Sequence, residues 1–281
     1  MRALPLRRLG RAWLSGAVLK RELERPDDLT VLIGVRDRAD YRIENSLKSI
    51  GAQKQLPGTV HTLIVDYGSS PANAAATEEA CRRYGAEYMR IQGASCWSRA
   101  RCLNIGIRRV STKFLMTCDA DIVLSPTYLS DAIGALRRTP LALVCSQMLD
   151  LPEGSAETLR RAADSGEALD VHTYRPWCSP RFSWPLHPSI AITYTAFLQS
   201  IRGYDEYYEL WGCEDVDLVR RLECLGIRPR KLDADSFYLH QWHPRFEGIP
   251  GGEHASQITF NRAHLESHYS IVRNDRSWGL P

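Results

Sequence analysis

The sequence predicts an α/β domain built on a mostly parallel central sheet flanked by helices, and three observations predict it. Hydrophobic residues make up 44% of the 281 and charged residues 25%, the balance of an ordinary soluble globular chain. That balance excludes disorder, collagen and coiled coil as the main architecture. Strand-like and helix-like runs alternate from residue 29 to residue 145, an order that builds a parallel sheet with helices on both faces. Acids stand where strand-like runs stop, at Asp37, Asp66, Asp119 and Asp121. Sheets of this kind bind ligands at the carboxyl ends of their strands.

The elements follow in order. Residues 1–25 form a basic arm with seven Arg or Lys and two Glu, a local +5. The other 256 residues keep 29 basic and 31 acidic groups, a net −2, so the body lacks the clustered basic face of a nucleic-acid binder. Leu6, Leu9, Trp13 and Leu14 give the arm one apolar flank. It reads either as an interfacial helix drawn peripherally to an anionic membrane or as an ordinary helix packed on the domain, weakened by Gly10 and Gly16. Pro26 ends it.

Strands are expected over 29–35, 60–65, 87–91, 114–118 and 141–145, and helices over 42–50, 72–84, 99–110 and 127–138. Past Leu151 the pattern breaks. Residues 172–190 are rich in proline and aromatic side chains and read as an irregular, anchored loop. A helix over 214–225 carries Leu218, Val219, Leu222 and Leu225 on one face and stops at Gly226. A strand over 236–240 follows, then a loop and tail. The expected divisions are thus the arm (1–25), one domain (26–245) and the tail (246–281). Eight cysteines, none in a Cys-x-x-Cys pair, read as reduced thiols of a cytoplasmic protein without a secretory signal. No apolar run approaches the ~18 residues of a membrane-crossing helix.

Three groupings carry chemistry. Asp119-Ala-Asp121 follows an apolar strand, and two carboxylates two residues apart can face one hard divalent cation that bridges the phosphates of a nucleotide. Read alone, such a pair is more often an ordinary acidic turn. In Trp211-Gly-Cys-Glu214-Asp215-Val-Asp217, the acids suit the first turn of a helix through its dipole, but the dipole does not account for the Trp-Gly before them. Glycine lets a substrate approach the backbone, an aromatic face stacks on sugar rings, and a neighbouring carboxylate can act as general base toward a hydroxyl. His240 and His243 flank Gln241 and Trp242. An imidazole there either adds a nitrogen ligand to the same metal or is an ordinary surface histidine.

Four segments, met in order, resemble known patterns. Val31-Leu-Ile-Gly-Val-Arg-Asp-Arg38 resembles the first strand of the galactosyltransferase superfamily. Leu63-Ile-Val-Asp66-Tyr-Gly-Ser-Ser70 resembles the Asp-x-Gly-Ser turn of family 2 glycosyltransferases. Trp97-Ser-Arg-Ala-Arg-Cys-Leu-Asn-Ile-Gly106 resembles the helix that precedes their Asp-x-Asp strand. Phe197 to Leu222, with Gly203-Tyr204 and Trp211-Gly-Cys-Glu-Asp-Val-Asp217, resembles the galactosyltransferase C-terminal signature. The chain therefore resembles a family 2-like glycosyltransferase of GT-A fold, with a subtype near β-1,4-galactosyltransferases and chondroitin polymerases.

That resemblance implies a UDP-sugar donor, a divalent metal (manganese, with magnesium as the alternative) and a glycan or lipid-linked sugar as acceptor. It implies that Val35, Arg36, Asp37, Arg38 and Asp66 line the nucleoside and that Arg101 faces the donor. Asp119 and Asp121 would meet ribose, metal and pyrophosphate, with Asp121 the closer ligand; His240 would be the third ligand and His243 its reserve. Trp211 would pack on the sugars beside Gly212, Glu214 would hold a hydroxyl, and Asp215 would be the base of an inverting displacement. The chain departs from the signature at Cys213, where the pattern has glycine, and at Val216, where it has an acid. Two other classes stay open. A nucleotidyltransferase would want a Gly-rich basic loop after the first strand, and none follows Gly34. A non-catalytic sugar-nucleotide or glycan binder would be favoured by loss of Asp121 or Asp215, and both are present.

Overall fold

Leu-Thr-Val-Leu-Ile-Gly-Val is apolar enough to be buried on both sides, and in the computed structural model it is the spine of a seven-stranded sheet. The structure describes residues 16–94, 96–166, 168–180, 190–210, 212–244 and 251–281. In chain order the elements are α1 (Gly16–Leu23), β1 (Leu29–Val35), α2 (Tyr41–Gly51), β2 (Val60–Tyr67), α3 (Pro71–Tyr84), β3 (Glu87–Ile91), α4 (Arg99–Arg109), β4 (Phe114–Cys118), β5 (Ile122–Leu124), α5 (Tyr128–Arg138), β6 (Ala142–Cys145) and β7 (Met148–Asp150). They continue with α6 (Ala156–Asp164), α7 (Val171–Tyr174), β8 (Ser179–Pro180), β9 (Ala191–Tyr194), α8 (Thr195–Ser200), α9 (Glu214–Cys224), β10 (Arg228–Lys231), β11 (Tyr238–His240) and α10 (Gly251–Ser267).

The large sheet has the order β10-β6-β9-β4-β1-β2-β3. Its pairs are parallel except around β9, which runs antiparallel to both β4 and β6. The expected mostly parallel sheet is thus present, with one reversed strand. α4 lies so close on β1 that a Cβ at Gly106 would meet Leu32 Cδ1 at 2.3 Å, which is why that helix carries glycine there. Below the strands, the buried Lys113 donates from Nζ to the carbonyls of Leu23 (3.2 Å) and Arg25 (3.1 Å) and to Asp27 Oδ1 (2.8 Å). This ties the end of α1 to the start of β4, at the amino ends of the strands. The arm's apolar residues Leu6, Leu9, Trp13 and Leu14 lie outside the described residues.

A second sheet, β5-β11-β7-β8, stands beside the first over its own small core of Val123, Leu151, Leu159, Phe237 and Leu239. Its register sets Asp150 of β7 opposite His240 of β11, and His240 opposite Ile122 of β5. Of this sheet the sequence pattern foresaw only β11, as the strand expected over 236–240. It also placed Asp66 beyond the end of its strand, whereas β2 runs on through Asp66 to Tyr67. The stretch after residue 246, expected as loop and tail, holds the 17-residue α10. All eight cysteines are free thiols. No helix of the described residues is long and apolar enough to cross a membrane.

Candidate active site

The site grows from the first turn of α4. Ser98 caps that helix: its Oγ accepts from the Arg101 amide (3.3 Å) and donates to the Tyr208 carbonyl (2.9 Å). The cap leaves Arg99 at the first helical position, almost fully buried. Its Nε donates to Asp119 Oδ1 and its Nη1 to Asp215 Oδ1, both at 2.8 Å. One guanidinium therefore joins two acidic motifs 96 residues apart in sequence. The Tyr204 ring lies against the same group, 5.6 Å from its central carbon, and Tyr204 is itself clamped. Asn104 donates to the Tyr204 carbonyl (2.8 Å) and accepts from the Tyr204 amide (2.8 Å). Sequence reasoning selected Arg101. That residue is exposed and reaches the Glu206 carbonyl at 3.4 Å, while Arg99 does the joining.

The turn before α9 is built from left-handed residues: Leu210 (φ 56°), Gly212 (φ 103°) and Cys213 (φ 76°). A cysteine held at such a φ costs about 1–3 kcal/mol, so the surroundings must impose it. They do: Asn261 of α10 donates to the carbonyls of Glu209 and Gly212, each at 3.1 Å, and the Cys213 carbonyl accepts from the Asp217 amide (2.9 Å). The sequence offered three acids here, and the fold separates them. Asp217 is buried between Arg221 (2.6 Å) and Arg273 (2.9 Å), a structural ion pair. Glu214 and Asp215 remain beside Arg99. Burial pushes the Asp215 carboxyl up to about 8; Arg99 works against that rise, and the neighbouring charges of Glu214 and Asp119 reinforce it. Burial raises Glu214 as well, against the pull of Arg99. Trp211, the expected sugar platform, lies outside the described residues.

Two residues from Asp119, Asp121 belongs to a different cluster. Its Oδ2 lies 3.6 Å from His240 Nε2 and 3.3 Å from His243 Nε2. Gln241 holds the two histidines in place: its amide donates to the Asp121 carbonyl (2.9 Å), and its side chain is fixed between Arg42 and Asn45. His240 and His243, expected as preferred ligand and reserve, thus come to Asp121 together. Asp119 does not join them; its Oδ1 is engaged by Arg99. Burial alone would raise Asp121, but His240, His243 and Arg38 hold it well below the ordinary carboxylate range. The hydrogen bond to Asp121 raises His243 in turn. Asp121 Oδ1 is buried without a hydrogen-bond partner, and one ligand atom from each of the three residues lies within 4.8 Å of the others. A carboxylate oxygen and two imidazole nitrogens suit a divalent first-row ion such as manganese. These residues fit the metal that the sequence implied. A cleft of about 440 Å³ opens beside His243, between Tyr41, Arg42, Arg160 and Trp242.

The expected nucleoside residues surround the carboxyl ends of β1 and β2. Val35 ends β1 and is buried. Asp37 (φ 52°) staples the two strand ends: its amide donates to Ser69 Oγ (2.8 Å), and its Oδ1 accepts from the Ser70 amide (2.8 Å) and Asn73 (2.9 Å). Arg36 buries Nη1 without a hydrogen-bond partner, and Arg38 lies near Asp121 and His243. Asp66 is fully buried; its oxygens accept from the Ser69 amide (2.9 Å) and Tyr88 Oη (2.6 Å), so it shapes the turn around the strand end.

With this geometry in place, comparison with known proteins is decisive for the family. The sequence pattern of the family described as "Glycosyltransferase like family 2" matches residues 30–239. The chain belongs to that family. The glycosyltransferase is similar in structure to GalNAc-T7 with UDP, GalNAc and Mn2+, at a TM-score of 0.62 and 11% identity over 85% of this chain and 48% of that one. It is similar to mannosyltransferase PcManGT from Pyrobaculum calidifontis in complex with GDP-Man and Mn2+, at 0.58 and 17% over 93% and 73%. It is also similar to S. aureus TarS 1–349 in complex with UDP, at 0.57 and 14% over 77% and 61%. At these identities the likeness establishes the GT-A fold. The chain spans about half the length of the GalNAc-T7 chain. A search of curated protein sequences finds no match.

Proposed function

We infer that this glycosyltransferase moves a hexose or hexosamine from a UDP-sugar to a hydroxyl of a glycan or lipid-linked sugar, with inversion at the anomeric carbon. The observation that carries the reading is the Arg99 bridge: it sets the Asp119-x-Asp121 loop, which bears the cation cluster, against Asp215. A leaving diphosphate and an attacking hydroxyl need those two kinds of group side by side. Asp121, His240 and His243 would hold manganese, or magnesium as the alternative. A bound divalent ion supplies Lewis acidity that neutralises charge on a departing diphosphate.

The protein's own residues do the rest. Arg36, Asp37 and Arg38 line the nucleoside end, and Asp119, steadied by Arg99, meets the ribose. Glu214 orients a sugar hydroxyl. Asp215 accepts the proton of the acceptor hydroxyl as that oxygen bonds to the anomeric carbon. The carbon–phosphate oxygen bond breaks on the opposite face, and its electron pair leaves with the diphosphate. A carboxylate whose proton affinity is already raised is suited to taking that proton. The subtype nearest the reading is the galactosyltransferase-like one, with the chain acting in polysaccharide assembly on the cytoplasmic side and the +5 arm touching anionic lipid. Free cysteines and the arm's charge support that placement.

The test is a panel of UDP- and GDP-sugars with Mn2+ and mixed sugar acceptors, read as released nucleotide and glycosylated product. UDP release tied to product with one UDP-sugar is the expected outcome. Turnover confined to GDP-sugars overturns the donor assignment, and binding without turnover across the panel overturns catalysis.

A further inference from the structure

The small sheet contains a residue that no part of the site above uses. β7 runs parallel to β11 with Asp150 directly opposite His240, and Asp150 Oδ1 lies 3.1 Å from His240 Nδ1. The other imidazole nitrogen, Nε2, points to Asp121. A neutral imidazole carries its proton on one nitrogen and a lone pair on the other. The 3.1 Å approach is that of an ion pair, not an aligned hydrogen bond. The negative oxygen still favours a proton on the facing Nδ1, which leaves the Nε2 lone pair toward Asp121 and His243. The strand register makes the arrangement rigid: Asp150, His240 and Ile122, the residue after Asp121, lie in one row across three paired strands.

We propose that Asp150 is a positioning residue of the transferase, one that fixes His240 as the Nδ1–H tautomer and orients it for a divalent cation. The proposal rests on reading Asp121, His240 and His243 as the cation site. It adds a residue from a different strand on which the affinity of that site depends. Carboxylate partners of this kind typically change metal affinity by about 10–100-fold.

Two readouts on purified protein test it. In the metal-free protein, nitrogen-15 chemical shifts of His240 report the tautomer; free Mn2+ measured by electron paramagnetic resonance reports affinity. Wild type should show the proton on Nδ1. Asp150→Leu should mix the tautomers and weaken Mn2+ binding about 10–100-fold. Asp150→Asn retains an accepting oxygen, so it should keep the tautomer and lose less affinity. If thermal unfolding shows that Asp150→Leu does not fold, Asp150→Ser, too short to reach Nδ1, takes its place with the same expectation. Wild-type Mn2+ affinity in the Leu or Ser variant, or an unchanged tautomer there, overturns the proposal. If wild type itself binds no Mn2+, the cation reading has failed, and the tautomer comparison alone decides whether Asp150 orients His240.

Discussion

The two halves of the site are both buried, acidic and anchored at the end of β4, yet their charge balance is opposite. Around Asp121 stand His240, His243 and Arg38, and the carboxylate is held firmly ionised. Around Asp215 stand Glu214 and Asp119, with Arg99 shared among them, and the Asp215 and Glu214 carboxyls are driven toward protonation. A single residue, Ala120, separates Asp119 from Asp121. Proximity to the sheet end therefore does not set the character of an acid here; the residues brought to it from distant segments do. One half is prepared to hold positive charge, the other to take up a proton.

Removing the proton acceptor should have the largest effect. Asp215→Asn keeps the shape and the Arg99 contact but loses the base, so transfer should fall about 10²–10⁴-fold while Mn2+ and UDP binding persist. Near-wild-type transfer would move the role to Glu214. The pH sign follows from the raised carboxyl. A base at Asp215 would act when ionised, so on the proposed mechanism wild-type kcat/KM should climb as pH rises through about 8. The linked stability runs the other way. A carboxyl whose folded pKa lies above its unfolded value contributes stability at low pH that is lost as pH rises toward the folded value. Melting curves of donor-free protein should therefore show Asp215→Asn gaining on wild type between about pH 4 and pH 8.

On the other half, Asp121→Ala should cost more Mn2+ affinity than Asp119→Ala, by at least about 10-fold, and EDTA should abolish transfer until Mn2+ is restored. Full activity in EDTA would erase the distinction between the halves. The smallest effect on chemistry and the clearest on folding belongs to the third acid. Asp217→Ala leaves Arg221 and Arg273 buried without their carboxylate, a loss of about 3–5 kcal/mol visible in denaturant unfolding. Its per-molecule transfer rate should stay near wild type where the protein is folded.

The parts of the fold legible in the sequence are those whose signal is local. The expected strands over 29–35 and 114–118 coincide with β1 and β4, because runs such as Phe-Leu-Met-Thr-Cys are buried almost end to end; the strand over 87–91 coincides with β3, of which only Ile91 is buried. The rest of the small sheet beside β11 was illegible because β5 and β7 have three residues each and β8 two, too short to show any period. β10 reads Arg-Pro-Arg-Lys, polar because it is the sheet's edge. α10 hid because Ile258, Phe260 and Leu265 form no single stripe, and Phe260 is exposed. In the site, the sequence marked Asp121, His240 and His243, which the fold brings together, while Asp215 was singled out from its neighbouring acids by the family resemblance alone. Arg99 was not: it sits two residues before the arginine that the motif favoured, and only folding brings Asp119 and Asp215 to it.

The Lys113 tie has a bearing on reach. It fixes α1 at the amino ends of β1 and β4, whereas the acids lie at the carboxyl ends. Seven residues of β1 at 3.3 Å each make that separation roughly 23 Å. Whatever surface grips α1 is met by the base of the sheet, and the reacting groups open on the far side.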